Sequence, residues 1–156
     1  MSITIEQVVE ATPEVRALID ELNHVLGVAY EPHQRHGLSV EQLFQPNLRF
    51  FLARRDGGAL GCGGVAIFDD YAEVKRMYTR PAARRQGIAN ALLRRIEDEA
   101  RSSGKATLCL ETGIHQREAI DLYERMGFRR RYAFGPYAAM PNQHIETSVF
   151  FEKQLE

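Results

Sequence analysis

Glu73-Val-Lys-Arg-Met-Tyr-Thr79, followed by Arg84-Arg85-Gln86-Gly87-Ile88-Ala89, decides the reading of this chain. The first run reads as a strand. After the second, Ile88, Ala91, Leu92, Ile96 and Ala100 recur at helical spacing, which predicts a helix over 87–103 ended by Gly104. A glycine-containing loop that opens a helix leaves backbone N–H groups unpaired, and the helix dipole favours negative charge there. Arg84 and Arg85 add cationic charge at the entrance. The site is suited to a phosphate or pyrophosphate. The glycines are too few and wrongly spaced for a dinucleotide fingerprint, and no Gly-Lys-Ser/Thr follows for a P-loop.

Working outward, residues 2–9 alternate as an edge strand, and Thr12-Pro13 opens a helix closed by Gly27. A polar segment, 28–37, leads to a short helix near 39–44. Residues 48–55 and 59–68 read as strands joined by an Asp56-Gly57-Gly58 hairpin turn. Downstream come a strand at 107–110, a helix at 116–126, a strand at 128–133, a loop at 134–143 and a final strand at 145–153. A meander followed by a βαβ unit predicts an α/β chain whose mixed, mostly antiparallel sheet is flanked by helices. The 156 residues suit one domain, with no repeat or linker.

Apolar residues make up 44% and charged residues 26%, and the formal net charge is −1. That balance argues against a nucleic-acid partner. Cys62 and Cys109 lack metal-site spacing, so no metal is expected and buried free thiols are. No basic-apolar leader opens the chain and no long apolar run follows, so a cytoplasmic protein with no membrane partner is expected.

The run Glu73 to Leu93 resembles motif A of the GCN5-related N-acetyltransferases (GNAT). Ala119-Ile-Asp-Leu-Tyr-Glu-Arg-Met-Gly-Phe128 resembles the family's motif B. Leu110-Glu-Thr-Gly113 and Phe134-Gly-Pro-Tyr137 are similar to a bacterial subgroup of small-molecule and unassigned acetyltransferases. The resemblance implies a six- to seven-stranded sheet with about four helices, splayed at an acetyl-CoA site. It implies an acyltransferase moving acetyl from acetyl-CoA to a primary amine of a small molecule, directly and in a ternary complex. A protein or peptide acceptor, a different acyl donor and a non-catalytic CoA sensor stay open as alternatives.

On this resemblance, the N–H groups of Gln86, Gly87, Ile88 and Ala89 cradle the pyrophosphate, with Arg84, Arg85 and Asn90 beside them. Met77, Tyr78 and Thr79 offer backbone to the pantetheine arm, and Gln116 takes the place of a cofactor-contacting Asn. Tyr123 is the candidate general acid for the CoA thiolate. Glu73, fourteen residues before Gly87, is the first candidate base, and Glu111 the second. His33, Arg35 and His36 in one loop and Tyr137 in another are acceptor-binding candidates. Arg76 is a further one, able to pair with a substrate carboxylate. Neither cysteine has an adjacent His to activate it, which argues against a covalent intermediate. The apolar Val149-Phe-Phe151 suggests either core packing or a homodimer face.

Overall fold

The computed structural model describes residues 2–156. Thr12 caps α1 (Pro13–Ala29), its side chain accepting from the Val15 N–H at 3.3 Å. The helix runs past Gly27, the expected stop, and ends where Tyr30 turns extended. Glycine stops a helix by adopting positive φ, and Gly27 is not among the glycines that do. The expected turn at Asp56-Gly57 is present, with φ of 53° and 82°. It joins β2 (Leu48–Arg55) to β3 (Gly58–Ile67), and β1 (Thr4–Val8) pairs on the outer edge of β2.

β4 (Ala72–Thr79) leads through the arginine loop into α2 (Ile88–Ser102), then β5 (Thr107–Gly113) and α3 (Arg117–Arg125). The expected strand at 128–133 shortens to β6 (Arg129–Arg131). The segment expected as a loop at 134–143 holds a 3-10 turn, Gly135–Ala139, and the start of α4 (Asn142–Ile145). β7 (Ser148–Gln154) closes the chain.

The seven strands form one sheet in the order β1-β2-β3-β4-β5-β7-β6, antiparallel except where β4 meets β5. β2 is buried on both faces, so its alternation splits two apolar clusters. Phe51 and Ala53 join Leu92, Ile96, Ile120 and Tyr123 under α2 and α3, while Phe50 and Leu52 join Leu18, Ile19 and Leu22 under α1. A third cluster, around Phe134, Tyr137 and Phe150, covers the far half of the second face. Val149, Phe150 and Phe151 are all buried in these clusters, so that run is core. Among the described residues no helix is long and apolar enough to cross a membrane.

Candidate active site

β4 and β5 pair at only two positions, Ala72 with Leu108 and Glu73 with Cys109. Beyond them β4 follows β3 and β5 follows β7, so a gap opens within the sheet. A bulge accentuates it. Gly64 opposes Lys75 and Cys62 opposes Tyr78, which leaves Arg76 and Met77 sharing Gly63. Arg76 takes the left-handed conformation, φ 55°. A bulge of this kind bends its strand and re-aims side chains. A Cβ on Gly63 would collide with the Met77 sulfur, so a larger residue there would displace the Met77 side chain.

On one side of the gap lies a cleft of about 650 Å³. Met77, Tyr78, Thr79, Arg84, Arg85, Gly87, Ile88, Ala89, Asn90 and Gln116 all line it. Gly87 stands at the N-cap of α2 with φ 83°, and no side chain caps the helix. The first-turn N–H groups therefore have no intrahelical partner, and the first turn carries no acidic residue. A Cβ on Gly87 would meet nothing within 4 Å, so its backbone conformation, and no protein contact, requires glycine. The Gln86 side chain turns away to Arg55 and the Ala82 carbonyl, leaving only its backbone toward the loop.

On the other side a pocket of about 150 Å³ reaches under the 31–37 segment and the Tyr137 turn. The two cavities share Leu22, Met77, Gln116, Ala119 and Tyr123 as lining. Tyr123 projects from α3, its ring packed against Phe128 and Phe151 at centroid distances of 5.7 and 6.2 Å. Burial, with a smaller contribution from Glu111, pushes its phenol well above the ordinary range and keeps it protonated.

Glu73 is buried, and one oxygen takes both Lys75 Nζ at 2.9 Å and the Tyr137 hydroxyl at 2.8 Å. Lys75 also donates to the Tyr137 oxygen at 3.2 Å. Glu111 follows on β5 and accepts from Ser148 Oγ at 2.7 Å. Desolvation raises its carboxyl above the usual range, against the pull of Ser148, His36 and Lys75. Arg35, His36, Arg76 and Tyr137 line the small pocket; His33 is exposed, its ring tilted against that of His144, and is not part of that lining.

Two participants were missed from sequence. Tyr30 donates to the Gln116 side-chain oxygen at 2.9 Å and accepts from the His115 N–H at 2.9 Å. It thus fixes the start of α3, and Gly113 leaves space for its ring. A lone aromatic in a polar segment was the available signal. Lys75 is the second; its bond to Tyr137 depends on a fold that brings residues 75 and 137 together.

The sequence model of the acetyltransferase (GNAT) family matches residues 15–128. The chain belongs to this family. It is 46% identical over 140 residues to IAA acetyltransferase of Azospirillum brasilense, covering 88% of each chain. It is 33% identical to the uncharacterized N-acetyltransferase YsnE of Bacillus subtilis, covering 91% of this chain and 93% of that one. A Klebsiella pneumoniae crystal structure assigned to the acyl-CoA N-acyltransferases superposes with a TM-score of 0.83 at 35% identity, covering 99% and 98%.

As a GNAT acyltransferase the chain uses acetyl-CoA as its acetyl donor. The cleft fits a phosphorylated, extended ligand: an uncapped helix start, two arginines and an open strand edge lie along it. Both thiols are buried and lie outside the lining of the two cavities. Burial raises Cys62 to about 12 and Cys109 to about 11, leaving little thiolate near neutrality.

Proposed function

We propose that this GNAT domain, spanning 1–156, acetylates the primary amine of a small molecule by direct attack in a ternary complex. The observation that carries the reading is the meeting of a long cleft and a small pocket at Tyr123, Met77 and Gln116. A pocket of about 150 Å³ favours a small acceptor over a protein chain. The inert thiols favour direct transfer over an acyl-enzyme.

Acetyl-CoA supplies an activated thioester. The N–H groups of Gly87 to Asn90, with Arg84 and Arg85, hold its phosphates. The open β4 edge at Met77 to Thr79 supplies main-chain partners for the rest. Glu111 takes the proton from the acceptor amine, directly or through a water, because a raised carboxyl pKa suits a base working near neutrality. Glu73 is already engaged by Lys75 and Tyr137, and in this reading it orders that wall of the pocket. Tyr123 gives its proton to the departing thiolate. A formal net charge of −1 gives no basic excess for nucleic acid, and in this reading the enzyme works in the cytoplasm.

The test is free-CoA release over amino acids, polyamines, aminoglycosides and peptides. Turnover confined to small amines is expected. CoA binding with no turnover on any amine overturns the reading in favour of a sensor. A burst of CoA release before acceptor is added overturns direct transfer.

A further inference from the structure

The small pocket contains two guanidinium groups that no carboxylate answers. Arg76, on the bulge of β4, donates to the Asn23 side chain, yet its Nε is buried without a partner. Its guanidinium lies over Gly37, where a Cβ would come within 2.8 Å of Cζ. Arg35 also has a buried Nε with no partner, and its Nη1 lies 3.5 Å from where a Cβ on Gly27 would stand. Among the described residues neither joins an ion pair, whereas Arg49, Arg54, Arg80, Arg101 and Arg131 all do.

The other charges facing this pocket do not compensate. Glu73 is matched by Lys75, and Glu111 accepts from Ser148 and joins neither arginine in an ion pair. Burial pulls the Arg76 pKa down; Cys62 opposes that pull and the nearby charge of Arg35 adds to it. Half-buried like charges with open donors are unfavourable in isolation, and a planar anion relieves both the repulsion and the missing hydrogen bonds.

We propose that the acceptor is a small primary amine carrying a carboxylate, and that Arg35 and Arg76 bind that carboxylate. The inference rests on the small-molecule reading above and adds the acceptor's chemical class. It also gives the arginines a second effect. Their positive charge disfavours the ammonium form of the acceptor and so eases loss of its proton to Glu111.

The experiment uses three matched sets: small amino carboxylates, the same compounds as amides, and their phosphonate analogues. Calorimetric binding to the enzyme–CoA complex and kcat/KM with acetyl-CoA are measured for each. Carboxylates are expected to exceed their amides by at least about 100-fold, since buried donors left unpaired reject an analogue strongly. Arg35→Gln and Arg76→Gln should each lower carboxylate binding by about 10- to 100-fold and erase the preference over amides. Acetyl-CoA affinity should stay at the wild-type value. Arg76→Lys guards against a folding defect, because it keeps the charge but loses the fork and should fall between the two. Equal binding of acids and amides overturns the proposal, and preferred binding of phosphonates overturns the choice of carboxylate. Carboxylates that bind selectively but are never acetylated leave the anion site standing and refute the transfer reading instead.

Discussion

Tyr123→Phe removes a single oxygen from the point where the two cavities meet. The phenyl ring stays, so packing on Phe128 at 5.7 Å and Phe151 at 6.2 Å is preserved. Among the described residues the hydroxyl takes part in no hydrogen bond, and burial with the charge of Glu111 raises its pKa, so its loss leaves no buried partner stranded. Stability should therefore change by less than about 1 kcal/mol, read by urea denaturation. Catalysis should respond very differently. General acid catalysis contributes about 10²- to 10⁴-fold, which is about 2.7–5.4 kcal/mol of transition-state stabilisation. The loss should fall on kcat, with acetyl-CoA affinity unchanged, because the proton is needed only as the C–S bond breaks. CoA release followed with a thiol reagent gives kcat. An acyl thioester with a more acidic leaving thiol should recover much of the rate in the variant and little in the wild type. An unaltered kcat, or a loss that no leaving group rescues, would refute the acid role of Tyr123.

Glu111→Gln should abolish the rise of rate with pH, measured as a pH profile of kcat/KM. The same group links to stability. Its folded-state pKa is raised from the usual 4.5, so stability is full below 4.5 and declines as pH climbs toward the raised value. The Gln variant should lose that decline in a pH series of urea midpoints. Gly87→Ala forces a Cβ into φ 83°, at a cost of roughly 1–2 kcal/mol, and should raise the KM for acetyl-CoA more than it lowers kcat. Lys75→Met leaves the buried Glu73 charge facing only Tyr137, and should destabilise by about 3 kcal/mol in chemical denaturation. Adding Glu73→Gln should restore most of that loss.

Much of this architecture was legible because local chemistry and tertiary structure agree. Thr12-Pro13 caps a helix wherever it is placed, and Asp56-Gly57 accepts the positive φ that a tight hairpin demands. The loop at Arg84 to Ala89 could be read as an anion site because helix starts bind anions for local reasons. Gly27 misled because glycine permits a stop without imposing one, and α1 continues to place Tyr30 against Gln116. The helical turns at 135–139 and 142–145 were hidden by Pro136 and Gly135, which read as loop until Tyr137 is seen buried against Phe134 and Phe150. Within the site, the wall formed by Glu73, Lys75 and Tyr137 joins residues 64 positions apart, and no periodicity carries that information. The bulge left no mark either, since Arg76 takes a conformation usually reserved for glycine or asparagine.

That conformation has an evolutionary consequence. Arg76 is the one residue of β4 that the sheet could discard. Without it, Lys75 would still face Gly64 and Met77 would face Gly63 singly, giving an unbroken ladder with the same side chains on each face. A chain shortened by that residue should fold at least as firmly as the natural one and bind acceptor poorly. Selection for stability alone would trim it; on the acceptor site proposed above, binding in the pocket is what favours keeping it.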